Sequence, residues 1–227
     1  MQTICVSLGG SVVSNEKGLN IQYLKEFREL LKKHKEMQFA IIVGGGFVNR
    51  KYIEALREEG VSEFALDEIG IAFTRVNALA AKSIFKGLDG VFPSIAEDIK
   101  TLKEASKNRI IFCSGFMPGI TTDAVSIITC ETLGSKKLIN VSAQSGIYDK
   151  DPKEAGAKKF SKITHQELIE LAEKYDSREA KAPFVFDLVA SKLAKRSNIR
   201  IDFIGTNLNE LNSAISNKSH NGTIVED

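Results

Sequence analysis

One short run constrains the fold of this chain more than any other: the apolar stretch Ile41-Ile42-Val43 breaks directly into Gly44-Gly45-Gly46. A buried strand that empties into glycines and then into helix-forming residues is typical of an α/β layer. Glycine lets the backbone adopt positive φ and approach another group closely, and the N–H groups at a helix start attract anions. The run therefore indicates either a phosphate-binding turn or a tight connection that needs glycine only for packing.

The same arrangement occurs twice more. The β-rich run 3–8 ends in Gly9-Gly10-Ser11, and the apolar run 109–113 ends in Ser114-Gly115. Strands that alternate with amphipathic helical stretches predict an α/β protein, a three-layer αβα sandwich with a mostly parallel central sheet. Because the carboxyl ends of parallel strands meet at one edge, we expect these turns to lie together, where ligands bind in such sheets.

Hydrophobic periodicity gives the remaining elements. It predicts helices at 48–59 and 69–83, with Asp67 in the loop between them, and further helical stretches at 95–106, 124–133, 164–174 and 187–197. Strands are predicted near 91–92 and at 137–141 and 200–205. Residues 220–225 read as a hairpin-like edge strand with Asn-Gly as its turn.

Composition excludes several classes of function. With 43% hydrophobic residues in 227, the chain can bury a substantial core. Lys+Arg 31 against Asp+Glu 29 leaves a net charge of +2 without a basic block, so no nucleic acid polymer is expected as partner. A signal-peptide pattern is absent, as is an apolar run of about 18 residues, and we therefore expect a cytoplasmic protein without membrane contact.

Known sequence motifs narrow the chemistry further. The sequence contains no P-loop motif, no clean G-x-G-x-x-G and no G-x-S-x-G. His34, His165 and His220 lack the spacing of a triad or a metal site, and the three cysteines form no zinc pattern, so no protein metal site is predicted.

The chain does carry the parts that phosphoryl transfer needs, which are backbone donors, cations and an organising acid. The glycine turns supply N–H groups, Arg50 and Lys192 supply charge, and Asp123, at a loop-to-helix junction, can order the donors or a bound Mg²⁺. Lys192 with Lys195 and Arg196 also fits a solvated helix face, which is the more common reading of such a pattern.

Five motifs in order resemble the amino-acid-kinase superfamily, and within it the archaeal-type uridylate (UMP) kinases. They are Ser7-Leu8-Gly9-Gly10-Ser11-Val12, Val43-Gly44-Gly45-Gly46 with Arg50-Lys51-Tyr52-Ile53, Gly115 with Pro118-Gly119 and Thr121-Thr122-Asp123-Ala124, Gly146-Ile147-Tyr148 with Asp151-Pro152, and Asn221-Gly222-Thr223.

This resemblance implies transfer of the ATP γ-phosphate to UMP with Mg²⁺, giving UDP in pyrimidine nucleotide biosynthesis. It implies the amino-acid-kinase fold as a single domain over 1–227, with about 1–135 holding UMP and about 136–227 holding ATP. It also implies a homo-oligomer, since the family forms hexamers built from dimers, and the helix at 69–83 is a candidate interface.

The resemblance assigns roles to individual residues. Those implied in catalysis are Gly10, Ser11, Asp123 and Lys192. Those implied in binding ATP are Gly9, Gly10, Ser11, Gly46, Arg50, Ser142, Tyr148 and Asp151. Those implied in binding UMP are Gly45, Asp67, Gly115, Phe116, Met117, Pro118, Gly119, Ile120 and Thr121.

Two departures from the family pattern stand out. Many superfamily kinases have a lysine where Ser7 stands, and several archaeal UMP kinases resemble this chain in lacking it. Where the family usually reads Thr-Asn-x-Asp-Gly-Val-Tyr, this chain has Ser142-Ala143-Gln144-Ser145-Gly146-Ile147-Tyr148 and so lacks the Asn and the Asp. The second departure affects the strength or preference of the phosphate-donor site.

Two alternatives follow from these features. A related small-phosphate kinase, such as an isopentenyl phosphate kinase, would share the glycine turns, although those relatives usually carry the lysine and an acceptor-pocket histidine that this chain lacks. A non-catalytic nucleotide-binding or storage protein on the same fold would explain Ala143 and Ser145. Asp123 together with Lys192 favours the enzyme.

Overall fold

The computed structural model describes residues 1–175 and 186–227. The strands are β1 Gln2–Leu8, β2 Ser14–Asn15, β3 Gly18–Leu19, β4 Met37–Val43, β5 Ile110–Cys113, β6 Lys137–Val141, β7 Lys162–Ile163, β8 Arg200–Ile204 and β9 Thr223–Val225. The helices are α1 Gly10–Val13, α2 Ile21–Lys32, α3 Gly46–Glu58, α4 Glu63–Ile84, α5 Ile99–Ala105, α6 Thr122–Leu133, α7 His165–Tyr175, α8 Leu188–Ser197 and α9 Leu208–Ile215.

A central sheet organises the molecule. Within the described residues its strand order is β5-β4-β1-β6-β8-β9-β7. All neighbours pair in parallel except β8 and β9, which are antiparallel. The small β2–β3 ribbon stands apart. This mostly parallel sheet confirms the predicted α/β class.

Helices cover both faces of the sheet, because successive strand residues point to opposite sides. On β1, Ile4, Val6 and Leu8 belong to one core with α2, α4 and α9, whereas Cys5 belongs to a second core with α5, α6, α7 and α8. Strands buried on both faces require nearly continuous apolar sequence, as Ile41-Ile42-Val43 has. The three-layer αβα sandwich predicted from the sequence is therefore present.

Several predicted boundaries were wrong. Ser62 caps α4 by accepting a hydrogen bond from the Ala65 N–H, so this helix starts at Glu63 and Asp67 lies within it rather than in a loop. Near Val91 only an isolated bridge forms. The strand predicted at the sheet edge, β9, lies between β8 and β7, and α9, which precedes it, was not predicted.

None of the helices in the described part of the chain combines the length and the apolar composition that crossing a membrane requires.

A buried cluster of charges joins the amino ends of β6 and β8. Lys137 Nζ lies 2.9 Å from Asp202 Oδ2, and Arg200 Nε lies 2.8 Å from Asp202 Oδ1. Burial acts to raise the pKa of Asp202, but hydrogen bonds from His220 and Arg200 and the charge of Lys137 outweigh it and lower this pKa to about 2. Lys137 also donates to Asn217 Oδ1 at 2.8 Å, which ties the C-terminal segment to the sheet.

We predict that Lys137→Met lowers the free energy of unfolding by about 3 kcal/mol, because it leaves the buried Asp202 with one cation fewer. Urea denaturation at neutral pH measures the change. Lys51→Met is the matched control, since the Lys51–Glu54 pair is exposed and should contribute less than about 1 kcal/mol. Equal stability of the two variants would show that the cluster is not needed for the fold.

Candidate functional site

Two glycine turns meet at the carboxyl edge of the sheet. A Cβ added to Gly10 would lie 2.2 Å from the Gly46 nitrogen, and one added to Gly44 would lie 2.5 Å from the Gly10 nitrogen. Any side chain at either position would therefore collide with backbone. Gly46 also has φ of +81°, a conformation that favours glycine. Packing between the turns thus accounts for these three glycines.

An asparagine on α4 holds the second turn in place. Asn77 Nδ2 donates to the carbonyl oxygens of Gly44 and Gly45, both at 2.9 Å. The N–H of Gly9 donates to Val141 O and that of Gly44 to Leu8 O, so both are used within the sheet. The donors that remain for a ligand are those at the starts of α1 and α3, whose first N–H groups have no acceptor within their own helices.

A cavity of about 230 Å³ opens beside the second turn. One wall comes from α3 and α4, and the other from the segment between β5 and the start of α6. The cavity is lined by Gly45, Asn49, Ile53, Arg57, Leu66, Asp67, Gly70, Ile71, Thr74, Gly115, Ile120, Thr121 and Thr122. Its mixed apolar and hydrogen-bonding lining is typical of a small-ligand site.

Some, but not all, of the residues predicted to bind the acceptor line this cavity. Gly45, Asp67, Gly115, Ile120 and Thr121 line the cavity. Asp67 Oδ2 accepts from the Gly119 N–H at 2.7 Å, and the Gly115 N–H donates to Thr74 at 2.8 Å, so α4 holds both ends of the loop. The other predicted loop residues are not among the lining residues; they are Phe116, Met117 and Pro118 together with Gly119, whose φ is +86°.

Asp123 lies beside a second carboxylate, Asp187, that sequence reasoning missed. Thr121 Oγ1 donates to Asp187 Oδ2 and caps α6 by accepting from the N–H groups of Asp123 and Ala124. The other oxygen of Asp187 caps α8 through the Ala190 N–H at 2.8 Å. The side chain of Asp187 therefore fastens the start of α6 to the start of α8.

The two carboxylates change each other's electrostatics. Burial and the negative charge of Asp187 raise the pKa of Asp123 to about 7, although the Asp187 N–H and the Asn140 amide act to lower it. Asn140 Nδ2 lies 3.4 Å from Asp123 Oδ1. A partly buried carboxylate with this pKa fits a place where a cation binds, because a cation favours the ionised form. The described residues contain no cluster of three metal-ligating side chains.

The predicted ATP-binding residues of the C-terminal part lie in the loop that follows β6. Ser142 Oγ donates to Gln144 O at 2.8 Å, and Tyr148 OH lies 3.3 Å from Ser145 Oγ. Asp151 Oδ1 accepts from the Lys153 N–H at 2.9 Å. These local bonds shape the loop and give Ser145 a polar contact at the position where the family usually has Asp.

The strand β9 contacts this loop and holds it in place. Ile147 N–H donates to Thr223 Oγ1 at 2.9 Å, and Thr223 in turn donates to Phe160 O at 2.6 Å. A Cβ on Gly146 would lie 2.7 Å from Thr223 Oγ1, so a glycine is needed at that point. The Gly146 and Thr223 motifs noted in the sequence therefore form one structural unit.

Lys192 lies on α8 and pairs with an acid of α7. Its Nζ lies 3.5 Å from Glu173 on α7, and its side chain is 57% exposed. Each helical residue turns the chain by about 100°, so Lys192 lies about 140° from Asp187 around the axis of α8. Its position matches the solvated helix face, and the phosphate-binding role that the resemblance implied stays a prediction. Arg50, by contrast, lies exposed on the first turns of α3, and Ser11 is half-buried in α1.

A larger groove, of about 1090 Å³, lies between α2 and the segment that leads into α9. Its lining residues include none of the residues predicted from the motifs. Size alone would favour this groove, but the glycine turns, helix starts and paired carboxylates lie at the smaller cavity.

Comparisons with known proteins agree with this arrangement. Residues 2–204 match the model of the amino acid kinase family. The uridylate kinase of Thermoplasma volcanium is 36% identical over 228 residues, covering 100% of this chain and 98% of the relative. That of Methanocaldococcus jannaschii is 36% identical over 232 residues, covering 98% and 99%.

Solved structures give the same result. The uridylate kinase from Archaeoglobus fulgidus superposes with a TM-score of 0.84 at 32% identity, covering 99% of this chain and 100% of that one. The UMP kinase from Bacillus anthracis superposes with a TM-score of 0.82 at 19% identity, covering 100% and 96%, and this match supports the fold alone.

The raised pKa of Asp123 predicts a pH-dependent stability. An aspartate with a pKa of about 7 when folded and about 3.9 when unfolded binds more protons in the folded state between these values, so stability falls as pH rises through that window. Asp123→Asn removes this loss. The unfolding free energy of the variant minus that of the wild type should increase by about 4 kcal/mol between pH 4 and pH 8. Parallel stability curves, measured by urea denaturation, would contradict the raised pKa.

Proposed function

The chain belongs to the amino acid kinase family, and from the geometry of its site we propose that it transfers the γ-phosphate of ATP to UMP, giving UDP. The observation that carries the proposal is the cavity that runs from Gly45 and the start of α6 to Asp67, with Asp123 beside Asn140 at the junction with the ATP-binding part. The full-length similarity of the chain to uridylate kinases supports UMP over isopentenyl phosphate as the acceptor.

In this proposal the UMP phosphate binds at the inner end of the cavity. Gly45 and Thr121 lie there, and the first N–H groups of α6 give that end a positive partial charge. Asp67 and the loop that it holds through Gly119 bind the nucleoside. The acceptor part is about 1–135, as the resemblance implies.

The donor nucleotide belongs to the C-terminal part, at about 136–227. Ser142, Tyr148 and Asp151 form the loop for adenosine, while Gly9, Gly10, Ser11, Gly46 and Arg50 face the phosphates. Mg²⁺ binds through one or two carboxylates and substrate phosphates in such sites. Asp123 would be its protein ligand in this proposal, because it directly follows Thr122 of the cavity lining, whereas Asp187 fastens α6 to α8. When bound, Mg²⁺ would add to the positive charge that Arg50 brings to the phosphates.

Phosphoryl transfer then depends on positioning and charge. Asn140 and the Asp187 N–H hold the carboxylate of Asp123, and Thr121 joins the acceptor loop to α8 through Asp187. The N–H donors of the glycine turns stabilise charge on the transferring group. We further propose a place in pyrimidine nucleotide biosynthesis and a cytoplasmic location, which the buried free thiols of Cys5, Cys113 and Cys130 support.

A coupled assay tests the proposed function. Purified protein with MgATP should form UDP from UMP in preference to other acceptors, including isopentenyl phosphate. Asp123→Asn should lower kcat by about 10²–10³-fold, as expected for loss of a charge-ordering group, while calorimetry shows UMP affinity nearly unchanged. No UDP formation by the wild-type protein, under conditions in which a control kinase is active, would overturn the proposal. ATP binding with zero turnover on every acceptor would favour the storage protein.

An exposed apolar surface supports a homo-oligomer. Gly46 is the one buried residue of α3 among those described, although the helix is amphipathic. On the outer surface of α3 and α4, Tyr52 and Val76 are 55% and 60% exposed, and Leu79 is 49% exposed. Apolar helix faces of this kind mark protein interfaces. We propose that copies of the chain pair through this face, within the hexamer that the family resemblance implies.

Sedimentation velocity tests this assembly. The double variant Val76→Glu, Leu79→Glu should sediment as a smaller species than the wild type, because charges in an apolar interface oppose association. Val189→Glu is the matched control, since Val189 is 53% exposed on α8, away from this face. Unchanged sedimentation of the double variant would exclude the face as an interface.

A further inference from the structure

Asn49 is a polar residue of the acceptor cavity to which neither the motifs nor the resemblance gives a role. It lies on the first turns of α3 and lines the cavity. A Cβ on Gly45 would lie 2.4 Å from Asn49 Nδ2, and one on Gly70 would lie 3.8 Å from the same atom. The amide therefore occupies the space between two residues that have no side chain.

The amide oxygen of Asn49 lacks a hydrogen-bond partner. Oδ1 is buried and accepts no hydrogen bond within the described part of the chain. An unsatisfied buried acceptor costs about 1–3 kcal/mol, so native proteins rarely keep one without a reason. Because the residue lines an open cavity, rotation about its terminal torsion brings this oxygen to the ligand side. The missing partner is a hydrogen-bond donor.

Contacts between α3 and α4 fix the depth of Asn49 in the cavity. The two helices run antiparallel, since Asn77 bonds Gly45 at the inner end and Arg57 Nε lies 2.8 Å from Glu63 at the outer end. Asn49 faces Gly70 between these levels, and Asp67 is one helical turn further out than Gly70. In the proposed function the phosphate binds at Gly45 and the nucleoside at Asp67. The sugar thus reaches the level of Asn49.

We propose that Asn49 binds the 2′-hydroxyl of the acceptor's sugar, with Oδ1 accepting from the hydroxyl, and that this bond makes the enzyme prefer ribonucleotides to deoxyribonucleotides. This inference rests on the proposed function, because it takes the direction in which the nucleotide lies from it. A site that hydrogen-bonds a substrate hydroxyl disfavours an analogue that lacks it, because the amide then stays unpaired.

Steady-state kinetics with three acceptors test this role. The acceptors are UMP and its 2′-deoxy and 3′-deoxy analogues, and the enzymes are wild type, Asn49→Ala and the control Lys51→Ala on the exposed side of the same helix. Asn49→Ala should lower kcat/KM for UMP about tenfold, the scale of one net hydrogen bond. It should leave kcat/KM unchanged for the 2′-deoxy analogue and lower it for the 3′-deoxy analogue as for UMP, while Lys51→Ala leaves all three unchanged.

The outcomes separate this inference from the proposed function. If Asn49→Ala lowers kcat/KM equally for all three acceptors, or for none, the residue does not read the sugar and the inference is overturned while UMP kinase activity stands. If the wild-type protein neither binds UMP by calorimetry nor phosphorylates it, the proposed function fails and this inference fails with it.

Discussion

The site depends on one contact, in which the backbone of Gly10 lies directly against that of Gly44 and Gly46. The would-be Cβ atoms at Gly10 and Gly44 lie 2.2 and 2.5 Å from backbone nitrogen atoms, so no other residue fits without moving a strand. β1 and β4 pair up to Leu8 and Val43, and the glycine contact continues this pairing into the two turns. Asn77 maintains the geometry from α4 by bonding the Gly44 and Gly45 carbonyls.

Charge at the site is arranged around two aspartates, of which Asp187 is buried and Asp123 partly buried. Asp187 fastens α6 to α8 through Thr121 and the Ala190 N–H, whereas Asp123 accepts hydrogen bonds from Asn140 and the Asp187 N–H. Lys192 is paired to Glu173 on the surface, whereas Arg50 lies exposed on the first turns of α3 and Arg57 lines the cavity.

Features set by local sequence were predictable. Apolar runs that end in glycine gave β1, β4 and the shared edge, because strand pattern and turn chemistry act over a few neighbouring residues. The start of α4 was wrong because the Ser62 cap was not recognised, and Asp67 was therefore placed in a loop. The position of β9 inside the sheet depends on pairing with distant strands, which local pattern does not encode.

The residues that sequence reasoning missed at the site share one property, namely contacts between residues far apart in the chain. Asp187 carries a local signal, since it precedes an apolar helical run and caps α8. Its bond to Thr121, however, joins two residues 66 positions apart in the chain. Asn77 donates to the Gly44 carbonyl 33 positions earlier in the chain, and nothing in the local sequence distinguishes it from an ordinary helix residue. Lys192 matches a motif position, but its pair with Glu173 on another helix could not be predicted from that position.

The most direct test of the account is a crystal structure of the protein with UMP and a non-hydrolysable ATP analogue. The account predicts the UMP phosphate between Gly45 and the start of α6, with Asp67 at the nucleoside and Asp123 next to the phosphates of the donor. UMP bound in the larger groove beside α2 and α9, or in the loop of Ser142 and Tyr148, would contradict it.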